Sequence, residues 1–298
     1  MFSHILHSSG RPLIVVHGGT SSLRALDGAC REAAEHGARH ADGSAMSLAV
    51  ESVVMLEEDG RFNAGSGAVT ALDGITVEMD AAVMDSEDRL GAVAAVRDVR
   101  NPVRVAREVA NSPHWLLAGE GAQRFAHAVG LREPHRMSPR RPRREAAAAN
   151  VDLEHIEHLE RMWNFPSPFS AVRARLRGSD TVGAVSRDAR GHFSCASSTG
   201  GLANKLLGRV GDTPVVGCGI YAGPHGAFAI TGIGEKVVRT QLAFRLHQWL
   251  ESGEALLGAM QRGLELFDPA IDVGIVGVAA DAGAVCANRD MAFAIVEP

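Results

Sequence analysis

A dense string of glycines and small polar residues, opening on a buried strand, constrains this chain more than any other feature. It runs Ser179-Asp180-Thr181-Val182-Gly183-Ala184-Val185, then Ser197-Ser198-Thr199-Gly200-Gly201. It continues as Asn204-Lys205 and Gly208-Arg209-Val210-Gly211-Asp212. Glycine at that density disfavours helix and permits close backbone approach and left-handed turns. Short apolar runs between such turns read as strands. With 33 glycines in 298 residues, the same expectation extends to much of the chain.

Strands are expected at residues 12–16, 75–84, 90–99, 181–187, 192–198, 215–221, 227–231, 274–281 and 284–296. Helices are expected at 23–36, 44–58, 119–129, 235–249 and 254–266, with another opening at Asn101-Pro102. Residues 62–67 read as a loop. Residues 132–180 form a mobile linker with one short helix, rich in Arg and Pro at 140–144 and followed by an alanine run. The order is α and β mixed, a linker, then strands, helices and strands, with no internal repeat.

A net charge of -5 argues against a dedicated nucleic-acid binder, so the arginines at 140–144 read as a solvated linker face. The cysteines, Cys30, Cys195, Cys218 and Cys286, form no CxxC pair, which fits a reducing compartment. His155 and His158 lie one turn apart without a third ligand and read as surface residues. The start of the chain lacks a signal-peptide pattern. The uncharged run at 213–234 carries Pro224, His225 and several glycines, so it reads as strand-turn-strand rather than a membrane span. A cytoplasmic protein with no membrane or nucleic-acid partner is expected.

Common catalytic scaffolds fail on inspection. There is no GxxxxGK[ST] loop, GxSxG elbow or HExxH pair. Gly232-Ile233-Gly234 lies between a strand and a helix, but the third glycine of a dinucleotide site is missing and Glu235 would oppose a phosphate. That leaves Asp180-Thr181. A threonine hydroxyl is a weak nucleophile unless a base adjoins it. A threonine made N-terminal by cleavage carries its own base, an α-amine with a pKa near ~7.7. The dipeptide alone reads better as a strand that simply starts with Thr.

Residues 179–212 resemble the second-subunit start of the isoaspartyl peptidase/L-asparaginase family, the plant-type N-terminal nucleophile hydrolases. The TVGAV, STGG and NK..GRVGD elements are matched in order. Val15-Val16-His17-Gly18-Gly19 resembles the opening strand of that family. Phe62-Asn63-Ala64-Gly65-Ser66-Gly67, Val77-Glu78-Met79-Asp80-Ala81 and Thr231-Gly232-Ile233-Gly234-Glu235 resemble its FNAGxG, ExDA and TGxGE elements.

The resemblance implies an α+β fold, a four-layer αββα sandwich. It implies an α subunit with its core at 1–131, the linker at 132–180 and a β subunit at 181–298, all in one structural domain. Thr181 is the expected nucleophile, released by cleavage after Asp180. Thr199 is expected to hold its hydroxyl, with Asn63 as polar support. Thr231 and Gly232 are expected to form the oxyanion hole and to line the substrate site. Arg209 is expected to clamp a substrate α-carboxylate and Asp212 to accept an α-ammonium. Backbone carbonyls of Leu56, Glu57, Asp59, Phe62, Ala64 and Ser66 are expected to hold a structural sodium ion, with no organic cofactor.

The implied activity is hydrolysis of L-asparagine or β-aspartyl dipeptides, with αβ units paired into a dimer. Some features depart from the pattern. Asp180 stands where many asparaginases have Gly; glycosylasparaginases and taspases also have Asp-Thr there. Val273-Gly274 replaces Gly-Gly. The chain stops soon after Met291, so an edge element is expected to be missing. The alternatives are a glycosylasparaginase, a taspase-like endoprotease and an uncleaved binding relative.

Overall fold

The computed structural model describes residues 1–20, 22–71, 73–134, 136–138, 181–203 and 205–298. Two sheets lie face to face. One is entirely antiparallel, with strands in the order β1 (Phe2–His7), β11 (Ala282–Ala287), β10 (Val273–Ala279), β9 (Gly226–Gly232) and β8 (Ile220–Gly223). The other runs β12 (Phe293–Val296), β2 (Leu13–His17), β6 (Val182–Arg187), β7 (Phe193–Thr199), β3 (Met79–Asp85), β4 (Leu90–Val96) and β5 (Leu116–Ala118), parallel only between β4 and β5.

Strand periodicity builds the layers. On β2, Ile14 and Val16 join the core beneath α1 (Asp27–His40), α2 (Ala45–Asp59) and α3 (Pro102–Ala110), while Leu13 and Val15 point between the sheets. On β9, Phe228 and Ile230 pack under α6 (Leu242–Glu251) and α7 (Leu256–Leu264), and Ala227 and Ala229 face inward. Helices therefore cover both outer faces, giving the αββα sandwich expected. The remaining described helices are α4 (Gly119–Ala128) and α5 (Gly234–Thr240).

Tertiary context changes several elements. Residues 2–7 carry no strong strand signal, yet β1 pairs with β11 over its full length because that edge needs a partner. The expected strand at 215–221 is mostly turn. Gly219 N donates to Asp212 O, and the strand begins only at Ile220. The expected helix at 235–249 is two, α5 and α6, split at Gln241, whose φ of 49° is left-handed. The apolar pattern runs through that break and hides it.

The expected strand at 284–296 is also two. Asn288 ends β11 by accepting from Val273 N at 2.8 Å, and β12 then joins the other sheet. The last strand is packed, with Phe293 stacked on Phe2 at 5.9 Å. The linker read over 132–180, its short helix, the arginines at 140–144, His155, His158 and Asp180 lie outside the described residues, apart from 132–134 and 136–138.

Candidate active site

Registers bring one end of several strands together. Val182 pairs with Ser198, so Thr181 falls opposite Thr199. Thr199 pairs on its other side with Asp80. His17 pairs with Gly183. By the alternation that sends Val185, Cys195 and Ala82 between the sheets, Thr181, Thr199 and Asp80 face inward too. Thr231 follows Ala229 on the same face of β9.

The second sheet closes on this end. A Cβ on Gly183 would stand 2.4 Å from His17 Nε2 and 3.1 Å from Ala229 Cβ. One on Gly274 would stand 3.0 Å from Thr231 Cγ2 and 3.1 Å from Thr20 Cγ2. Neither glycine has room for a side chain. Thr181, Thr199 and Thr231 are all buried.

The turn after β7 is fixed by Asn63. Asn63 Nδ2 donates to Gly201 O at 2.7 Å, and its Oδ1 accepts from Val69 N at 2.9 Å. Gly201 adopts φ +74°, and its amide donates to Thr199 Oγ1 at 2.9 Å. The loop that follows carries Arg209 and Asp212. Arg209 donates through Nε and Nη2 to Glu235 at 2.9 and 2.8 Å. Its Nη1 edge faces bare backbone, 2.8 Å from where Gly211 would carry a Cβ.

Asp212 is fully buried from solvent. Burial pushes its carboxyl up to about 7, although its own amide and Arg209 pull the other way. Its Oδ2 has no hydrogen-bond partner among the described residues, and neither does Thr231 Oγ1. Buried polar atoms without partners are rare in folded proteins. Asp212 stands beside the Arg209 guanidinium: a Cβ on Gly234 would lie 2.9 Å from Asp212 Oδ1 and 3.0 Å from Arg209 Nη2.

All the described residues expected in the site, from Asn63 to Gly232, are thus drawn to this end. Four others went unassigned in the sequence. Glu235 orients Arg209. Asp80 and Lys205 lie behind Thr199. His17 sits over Gly183 with neither ring nitrogen hydrogen-bonded among the described residues and its pKa lowered to about 3 by burial. The ExDA, NK, HGG and TGxGE elements contained all four, but pairing between distant segments gives them their place.

The expected cation loop follows α2. Gly60 caps the helix at φ 80°. A Cβ on Gly67 would lie 2.0 Å from Phe62 O and 2.7 Å from Gly60 O, so carbonyls converge on a point that only glycine allows. Glu57 O accepts from Ser66 Oγ at 2.8 Å, Ala64 O from Gly67 N at 3.0 Å and Ser66 O from Ser138 N at 2.8 Å. Backbone carbonyls of this kind suit a hard cation. The Leu56 and Asp59 carbonyls belong to the last turn of the same helix.

An αββα sandwich with a threonine just ahead of a central strand, at the end where buried polar groups gather, is the architecture of an N-terminal nucleophile hydrolase. The chain belongs to the asparaginase family, whose model matches residues 10–297. It is 36% identical over 264 residues to the mouse isoaspartyl peptidase/L-asparaginase, covering 85% of this chain and 77% of that one. A plant-type L-asparaginase from Pyrobaculum calidifontis is 37% identical over 285 residues, 89% of each chain. An isoaspartyl peptidase from Salmonella typhimurium is 38% identical over 262 residues, 82% of this chain and 80% of that one.

Proposed function

We propose that the protein is a self-cleaving threonine amidohydrolase acting on L-asparagine, β-aspartyl dipeptides or both. The observation that carries this reading is the pair of groups beside Thr181 and Thr199. Arg209 keeps one guanidinium edge against the Gly211 backbone, and the buried Asp212 has no hydrogen-bond partner for Oδ2 among the described residues. A guanidinium fork receives an α-carboxylate, and a buried carboxylate receives an α-ammonium. Only an amino acid with both groups free satisfies the two together. That disfavours a chain-interior substrate, and so a taspase-like protease.

In the precursor, the Thr181 hydroxyl attacks the Asp180 carbonyl and the peptide nitrogen leaves as the α-amine. Water then opens the resulting ester and leaves a carboxylate on Asp180. In the mature enzyme the amine takes the hydroxyl proton as Thr181 Oγ attacks the substrate amide. The Thr231 hydroxyl and the Gly232 region face the developing oxyanion. The amine returns its proton to the leaving nitrogen, and water releases aspartate. Thr199 holds the nucleophile, and Asn63 holds the turn that fixes Thr199.

The carbonyls of residues 56–66 would hold a sodium ion, whose charge would stiffen the loop that carries Asn63. The αβ units pair through an apolar surface. In support, Leu206, Leu207, Val210, Ile233 and Val238 are exposed on either side of the Arg209–Glu235 pair. Four buried free cysteines favour a cytoplasmic location; among the described residues no helix is long and apolar enough to cross a membrane.

Steady-state kinetics on L-asparagine, a β-aspartyl dipeptide and their N-acetylated forms test the substrate reading. At least one of the free substrates should be hydrolysed and both acetylated forms refused. Equal turnover of the acetylated forms would remove the ammonium pocket.

A further inference from the structure

Behind Thr199 the chain buries a charged cluster that no step above uses. Asp80, in register with Thr199, is fully buried. Its Oδ1 accepts from Ala95 N at 2.8 Å, and its Oδ2 has no hydrogen-bond partner among the described residues. Ala95 itself adopts φ 48°, an uncommon left-handed conformation for a residue with a side chain, at a bulge between β3 and β4. Lys205 is 2% exposed, and its ammonium donates to Glu78 O at 2.7 Å. Gly208 N donates to Glu78 Oε2 at 2.7 Å, so the loop that carries Arg209 is tied to the same point.

The ammonium also reaches the turn after Thr199. A Cβ on Gly201 would stand 2.9 Å from Lys205 Nζ. That turn must therefore be glycine twice over, for its φ and for this approach. Asp80 and Lys205 oppose each other in charge. Burial raises the carboxyl and lowers the amine, and each partner pulls the other back toward its charged form. Of 30 lysines and arginines in the chain only two are lysines, and one of them is this buried group. An ammonium is a compact point charge, whereas a planar guanidinium would push into Gly201.

We propose that Lys205 is a positioning residue of the hydrolytic site: tied to Glu78 and paired in charge with Asp80, its ammonium supports the Gly201 turn whose amide fixes the Thr199 hydroxyl. The inference rests on the role given above to Thr199. Lys205 touches neither substrate nor reacting atoms in this scheme. It sets where Thr199 holds the nucleophile, so its loss acts on kcat more than on KM.

The test is steady-state kinetics on mature Lys205→Met, Lys205→Arg and Thr199→Val, with thermal melting alongside. A displacement of about 1 Å at a catalytic group costs on the order of 100-fold in rate. Lys205→Met should lose about that much in kcat with KM within about threefold of wild type. Lys205→Arg should fail similarly, because charge alone is not what the turn needs. A kcat within about threefold of wild type in Lys205→Met overturns the inference. Should that variant remain uncleaved, Asp80→Asn probes the cluster from the other chain. A depressed kcat at unchanged KM supports the inference there, and an unchanged kcat overturns it. Thr199→Val at wild-type rate would strike the role of Thr199 itself. A crippled Thr199→Val beside a wild-type Lys205→Met strikes only Lys205.

Discussion

The two ends of β6 treat buried polar groups in opposite ways. At its far end Arg187 is almost completely buried, and its guanidinium is saturated. Nε donates to Arg11 O at 3.0 Å, Nη1 to Ala279 O and Ala280 O at 2.7 and 2.6 Å, and Nη2 to Ser8 O and Arg11 O. This one side chain stitches the β1–β2 connection to the β10–β11 turn. At the near end, Thr181, Thr199 and Thr231 stand with Asp80, Asp212 and His17, and several of their polar atoms lack partners among the described residues. A buried polar atom without a partner costs about 1–3 kcal/mol. The fold tolerates that cost at the end where a ligand can supply the missing partner, and avoids it at Arg187.

If that contrast is right, damage at the two ends should have different signatures. The largest effect belongs to Asp212→Ala. It leaves a substrate ammonium buried without a counter-charge, a loss of about 2–5 kcal/mol in binding. In kcat/KM for L-asparagine that is on the order of 100-fold or more, with little change in melting temperature, because the lost carboxylate was itself unsatisfied. Steady-state kinetics and a melting curve on one preparation decide it. A large drop in stability would place Asp212 with the scaffold.

Arg187→Met should show the reverse. It orphans several carbonyls at once, so denaturant unfolding should lose about 3 kcal/mol or more. At a temperature where the variant is folded, KM should match wild type.

The pH dependence sharpens the contrast further. Asp212 must be ionised to receive the ammonium, and its carboxyl is pushed up to about 7 in the free protein. KM should therefore rise as pH falls through about 7, by about fivefold between pH 7 and pH 6, and Asp212→Asn should remove that limb. An unchanged KM across this range would mean that Asp212 does not titrate there.

Glu57 makes a smaller version of the same comparison. Its Oε1 accepts from Ser198 Oγ at 2.5 Å and Val103 N at 3.0 Å, its Oε2 meets no hydrogen-bond geometry among the described residues, and burial raises its pKa to about 8. A carboxyl raised in the fold stabilises most when neutral, so its contribution is lost as pH rises through the folded value. Relative to Glu57→Gln, wild type should lose about 1–2 kcal/mol between pH 6 and pH 8. Parallel unfolding curves across that range would show Glu57 to be ionised already.

The sequence makes different parts of this legible for different reasons. Thr181, Thr199, Arg209 and Asp212 lie within one glycine-rich string, so local pattern finds them. The outer helices and most inner strands follow from periodicity, because each buries one face. Glu235 was visible as an obstacle to phosphate binding and as the end of the TGxGE element, without a role; its pairing with Arg209 needs the α5 turn folded over the loop. Asp80 and Lys205 lie far apart in sequence and meet only through the β3–β7 register. β1 and the break at Gln241 were hidden because sheet-edge pairing and a left-handed glutamine leave no trace in hydropathy.

The central claim is that Thr181 serves first its own chain and then the substrate. Intact-mass measurement with N-terminal sequencing, run beside an L-asparagine assay on wild type and Thr181→Ala, tests it most directly. Wild type should yield chains 1–180 and 181–298, with Thr181 as the new N-terminus and activity rising with that product. Thr181→Ala should remain one inactive chain. An uncleaved 298-residue protein hydrolysing L-asparagine at full rate would contradict the account.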